Sequence, residues 1–168
     1  MKTIQLNVCI IEDDYIYNQL LSSYIKGLSS RLADKYITLR VFSFKTGEDF
    51  FKNNDCYPDI VFLDYYLDSE TPEAETGLQI IKKLKAKYTK SNVISITTQN
   101  QSMIVAELMK QGAIDFIPKD NISFARVDLI IGNLVRLMRK KQRRSQRILE
   151  FTTIFIIMTI LTLAYVNK

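Results

Sequence analysis

The sequence predicts an α/β fold, a doubly wound sheet of five parallel strands with helices on both faces. Two observations carry that expectation. Short apolar runs of strand length alternate with amphipathic segments of helical period, joined by short connections. Four of the apolar runs also end in a chemically distinctive residue, at the strand tips where open α/β sheets place their ligand sites. Val8-Cys9-Ile10-Ile11 leads into Glu12-Asp13-Asp14, and Pro58-Asp59-Ile60-Val61-Phe62-Leu63 leads into Asp64. Val93-Ile94-Ser95-Ile96 leads into Thr97, and Ile114-Asp115-Phe116-Ile117 leads into Pro118-Lys119. At 168 residues the chain can bury one full core.

The elements follow in order. After the first strand Asp14 can cap a helix with Ile16, Leu20, Leu21, Tyr24 and Ile25 at helical spacing, ending near Gly27 or a few residues later. Ile37 to Phe44 alternates in polarity and reads as the second strand. Thr46-Gly47-Glu48 opens a short helix, and Asp59 to Leu63 is the third strand. Gly77 to Tyr88 is amphipathic, with Leu78, Ile81 and Leu84 inward and Lys82, Lys83, Lys85 and Lys87 outward. Val93 to Ile96 is the fourth strand, Ser102 to Lys110 a helix stopped near Gly112, and the fifth strand follows. The last helix begins near Asn121 or Ile122, and nothing in the sequence ends it.

Composition narrows the chemistry. There is no His, which excludes most catalytic triads, His-ligated metals and a self-supplied phosphohistidine. Cys9 lies in an apolar run, so both it and Cys56 read as free thiols in a reducing compartment. The net charge of +5 is unevenly spread: residues 1–128 hold 15 basic and 17 acidic side chains, whereas 129–149 hold 7 basic residues and no acid. An acidic module with a basic arm results.

The order Glu12-Asp13, Asp64, Thr97, Lys119, each after an apolar strand, resembles the receiver domain of two-component response regulators. Gly77-Leu78 and Gly112-Ala113 strengthen the likeness, which covers about residues 4–135. The resemblance implies a flavodoxin-like, CheY-like fold and a Mg²⁺ site formed by Asp13, Asp64 and the main-chain carbonyl of Tyr66, with Glu12 assisting through water. It makes Asp64 the nucleophile that becomes an acyl phosphate, with Lys119 neutralising the transferring phosphoryl group and Thr97 donating its hydroxyl to it. Phe116 would be the aromatic whose rotamer follows that hydroxyl. The stretch 65–76 is longer than the family's usual loop and acidic, Thr98 stands where a smaller residue is common, and Asp120 replaces the usual proline after Lys119.

Beyond residue 135 the basic run 136–150 reads as a juxtamembrane helix, and 151–167 as a transmembrane helix. Phe151–Val166 would span roughly 24 Å, or roughly 28 Å with Ile148 and Leu149, against a hydrocarbon core of about 30 Å. The rival for the tail is a hydrophobic oligomerisation helix. Ser145, Thr152 and Thr159 share one face, which leaves a homodimer open.

The sequence thus predicts a membrane-tethered, stand-alone receiver with no DNA-binding domain, its receiver on the cytoplasmic side of the inner membrane and its anchor a single C-terminal pass. It would take phosphoryl from a sensor histidine kinase or histidine phosphotransfer protein, and signal by contact with a downstream protein. It would phosphorylate and dephosphorylate itself with Mg²⁺ without being a conventional enzyme. The alternative is a degenerate receiver that docks partners without phosphorylation. A haloacid dehalogenase-type hydrolase would need a second Asp where Tyr66 stands.

Overall fold

A computed structural model describes residues 3–33, 36–53, 55–67, 75–98, 102–119 and 123–166. Five strands, β1 (Ile4–Ile11), β2 (Ile37–Phe44), β3 (Ile60–Asp64), β4 (Asn92–Thr97) and β5 (Ala113–Pro118), form one sheet. Helices α1 (Tyr15–Leu32), α2 (Gly47–Lys52), α3 (Gly77–Lys87), α4 (Ser102–Lys110) and α5 (Ser123–Val166) alternate with them. The spatial order is β2-β1-β3-β4-β5 and every pairing is parallel, the doubly wound topology expected.

All five residues of β3 are buried. This is why it reads as a continuous apolar run and not as an alternating one. Ile60, Val61, Phe62 and Leu63 are each wholly removed from solvent, a contribution of about 1.5–3 kcal/mol per side chain. Strand β3 ends one residue later than the sequence implies, so Asp64 is its last member, in register with Ile96. One core cluster gathers Cys9, Ile11, Val61 and Leu63 from the sheet with Ile80, Ile81 and Leu84 from α3. Lys85 departs from its expected outward role: it is half-buried, and its Nζ donates to the carbonyl of Ser91 at 2.7 Å.

The end of α1 falls a few residues past Gly27, within the expected range, while its buried face corrects the sequence reading. Gly27 does not stop the helix, which continues to Leu32. An interior glycine costs roughly 0.5–1 kcal/mol against alanine, and burial of Ile25 and Leu28 on either side outweighs it. Ile16 and Leu20 face solvent, while Asn18, Leu21, Ser22, Ile25 and Leu28 form the buried face.

The chain divides into two compact units, residues 1–126 and 127–168, and the division falls within α5. In the second unit Arg136, Arg139, Lys140, Arg143 and Arg147 line one shallow pocket at helical spacing. Beyond them Phe151, Ile154, Phe155, Ile156, Ile157, Met158, Ile160 and Leu163 are all exposed. The threonines among them hydrogen-bond back to their own helix: Thr152 Oγ1 donates to the carbonyl of Leu149 at 2.8 Å and Thr159 Oγ1 to that of Ile156 at 2.8 Å. Thr153 likewise bonds Leu149, and Thr162 bonds Met158 and Thr159.

The helix is uninterrupted as expected, but the transmembrane reading of 151–167 is not upheld. Among the described residues no helix is long and apolar enough to cross a membrane. The apolar stretch is short, with Glu150 and Arg147 closing it on one side. Asn167 and the side chains of Leu161, Ala164 and Val166 lie outside the described residues.

Candidate phosphoryl-acceptor site

The parallel pairing carries the ends of β1, β3, β4 and β5 to one edge, and the candidate residues collect there. Glu12 immediately follows β1, where its N–H extends the ladder to the carbonyl of Phe44 at 3.0 Å. Its own carbonyl accepts from Asn18 Nδ2 at 2.9 Å. The sequence reading missed Asn18, whose only signal is a polar residue on the buried face of a helix. Asp14 caps α1, its Oδ1 accepting from the N–H groups of Ile16 at 2.8 Å and Tyr17 at 3.0 Å. The Asp14 N–H donates to Glu12 Oε1 at 3.2 Å.

Lys119 ties the edge together. Its N–H donates to the carbonyl of Thr97 at 2.9 Å. Its Nζ reaches Asp64 Oδ2 at 2.7 Å and Glu12 Oε1 at 2.9 Å. It also stands 4.7 Å from the centre of the Tyr17 ring, a cation–π contact the sequence did not suggest. Asp64 Oδ1 accepts from the Tyr66 N–H at 3.0 Å, so the turn after β3 orients the carboxylate. Asp64 and Glu12 are 5% and 2% exposed, and Thr97 is fully buried while Thr98 is exposed. Phe116 is half-buried and in register with Ser95, two positions back from the Thr97–Pro118 pair. The expected loop 65–76 is described only at 65–67 and 75–76, and Asp120 also lies outside the described residues.

Electrostatics follows from burial. Desolvation pushes the Glu12 carboxyl up to about 7, against the hydrogen bond from Lys119 that favours its ionised form. Burial likewise raises Asp64 above the usual carboxylate range, with Lys119 opposing. Desolvation alone would lower the Lys119 ammonium, but its bonds to Asp64 and Glu12 outweigh that and hold it above its ordinary value. One cation therefore serves two buried anions.

The donor set fits a hard cation. Glu12, Asp13 and Asp64 each offer a carboxylate oxygen, and these atoms lie within 4.8 Å of one another. Oxygen-only donors suit Mg²⁺. Glu12 Oε2 is buried without a hydrogen bond, although Lys119 Nζ stands 2.8 Å away, so it retains acceptor capacity. Glu12, Asp13 and Asp64 would hold the ion, which would supply charge neutralisation to phosphoryl oxygens. Saturating Mg²⁺ at about 100 times its Kd should stabilise the fold by about 2.7 kcal/mol. For a chain of this size that corresponds to a Tm rise of roughly 5–10 °C. Differential scanning calorimetry in Mg²⁺ against a chelator checks it, and identical melting in both would contradict a metal site here.

Comparison with known proteins agrees with this arrangement. The family model described as "Response regulator receiver domain" matches residues 8–130. The probable C4-dicarboxylate response regulator DctR of Halalkalibacterium halodurans is 24% identical over 142 residues, covering 84% of this chain and 56% of that protein. The chain thus spans about half the length of that curated relative. Among solved structures, the BeF3-activated DrrB receiver domain is similar in fold, with a TM-score of 0.64, 21% identity, and coverage of 79% of this chain and 99% of that one. Response regulator DrrB, a Thermotoga maritima OmpR/PhoB homolog, is 26% identical with a TM-score of 0.56, covering 77% of this chain and 54% of that one. A five-stranded parallel sheet that gathers Glu12, Asp64, Thr97 and Lys119 at one edge, with the family match over most of its length, places this chain in the response regulator receiver domain family.

Proposed function

We propose that the protein accepts a phosphoryl group on Asp64 from the phosphohistidine of a partner kinase or phosphotransfer protein. The observation that carries this reading is Lys119 Nζ held 2.7 Å from Asp64 Oδ2 beside the Glu12–Asp13 carboxylates. An Asp64 oxygen attacks phosphorus, the O–P bond forms, and the P–N bond of the donor breaks with its electron pair going to the imidazole. These 168 residues contain no His, so the donor imidazole lies outside them. Lys119 sits where it can offset charge on the transferring group, and most of the protein's contribution to such a transfer is positioning and charge. Thr97 would donate its hydroxyl to a phosphoryl oxygen, and Phe116 would follow that hydroxyl. The test is incubation with a small acyl-phosphate donor and Mg²⁺. A hydroxylamine-labile label mapping to the Asp64 peptide is expected, and no label, or one on another residue, refutes the reading.

The tail refines the reading. The five cations at one pocket, followed by exposed apolar side chains, favour attachment to an anionic lipid surface. A helix with no polar stripe has no single seam to offer a partner helix. The signal would then be delivered by protein contact at that surface. Flotation with vesicles containing phosphatidylserine should recover the full chain and leave a chain ending at Lys141 behind. Equal recovery of the two would remove the tether from the proposal.

A further inference from the structure

Both cysteines are buried, and the structure brings them together from distant parts of the sequence. Cys9 is in β1 and wholly buried, and Cys56 is in the connection between α2 and β3 and 4% exposed. Their sulfurs stand 3.0 Å apart, across a sequence separation of 47. Two atoms in ordinary non-bonded contact sit at about 3.5–4.0 Å, and a disulfide bond requires about 2.05 Å. The pair lies between those distances and needs a shift of about 1 Å to bond.

We propose that Cys9 and Cys56 form a reversible intramolecular disulfide on exposure to a peroxide, making this pair an oxidative modification site separate from the Asp64 edge. A shared metal suits the geometry less well. Two thiolates each about 2.3 Å from a tetrahedral ion lie about 3.8 Å apart. Among the described residues the group of three or more potential ligands is the Glu12, Asp13 and Asp64 set, which includes neither cysteine.

The order of events follows from the two environments. The contact with Cys9 holds the Cys56 thiol below its ordinary value against the opposing effect of burial, with Arg40 adding to it, whereas the same contact and burial push Cys9 up. Cys56 is the more exposed of the two and precedes Tyr57, which is itself exposed. The Cys56 thiolate attacks one peroxide oxygen, the O–O bond breaks, and hydroxide leaves and is protonated to water. The resulting sulfenic acid is attacked by the Cys9 sulfur. The S–S bond forms, and the sulfenic hydroxyl departs with the Cys9 proton as a second water. Two electrons pass from the thiols to the peroxide.

Treatment of the full-length reduced protein with hydrogen peroxide, acid quenching and alkylation in denaturant, followed by intact and peptide mass spectrometry, tests this. Expected is the loss of both alkylatable thiols, a mass lower by two hydrogens, a linked Cys9–Cys56 peptide, and recovery of both thiols with dithiothreitol. With Cys9→Ser, Cys56 should stop at a sulfenic acid that dimedone traps. The wild-type experiment does not depend on that variant folding. Two thiols still alkylatable after peroxide, linkage only between chains, or over-oxidation of Cys56 with Cys9 untouched would each overturn the proposal.

Discussion

Asp64→Asn is expected to abolish labelling by an acyl-phosphate donor while leaving a folded protein. A carboxamide fills the same space at the end of β3 and can still accept from the Tyr66 N–H, so the local geometry has little reason to change. It is a poor nucleophile and carries no charge, so the acyl phosphate cannot form. Stability should move little. The buried carboxylate it removes is one that desolvation already disfavours, and Lys119 keeps Glu12 as a partner at 2.9 Å. The Tm rise on adding Mg²⁺ should shrink, because one of three carboxylates has gone. Undiminished labelling of the variant would show that another residue is the acceptor.

Gly77→Ala should be strongly damaging, because the added methyl meets backbone. A Cβ at this first position of α3 would lie 2.7 Å from the carbonyl oxygen of Tyr65, 2.8 Å from its Cα and 3.0 Å from the carbonyl oxygen of Asp64. All three are backbone atoms that cannot rotate away. Helix propensity alone would favour alanine by about 0.8–1 kcal/mol. Overpacking costs about 1–3 kcal/mol and more where nothing can yield, so the clash wins. The helix start is also fixed from its other side by the Thr76–Gln79 capping box, which leaves α3 little room to retreat. The strain therefore falls on the end of β3, and displacing the nucleophile by about 1 Å should slow labelling roughly 10²-fold. Urea unfolding and the rate of acyl-phosphate formation measure the two effects. An unchanged midpoint with an unchanged rate would refute the close approach.

Much of this was legible in the sequence for a simple reason. Buried parallel strands are continuous apolar runs, so their ends are marked by the first charged or hydroxyl residue. Glu12 and Asp64 are such residues, whereas Thr97 and Lys119 follow runs already interrupted by Ser95 and Asp115, and the strand order then brings all four together. The exposed Thr98 and buried Thr97 settle which threonine faces inward. Less legible was anything decided by tertiary contact. The solvent-facing placement of Ile16 and Leu20 depends on which face of α1 meets the sheet, and apolar spacing alone admits more than one answer. The passage of α1 through Gly27 depends on burial at Leu28, not on propensity. The meeting of Cys9 with Cys56 was missed because Cys56 sits in no periodic element. Its position follows only once β1 and β3 pair, with Cys9 opposite Val61.

The back-bonded threonines of the tail have a practical consequence. Their hydroxyls are already engaged by carbonyls of their own helix, so they offer water less than their count suggests. The described side chains from Phe151 to Leu163 then present a largely apolar surface to solvent. Such a surface sets a ceiling on the concentration at which single chains persist in aqueous buffer. Above it they cluster or precipitate.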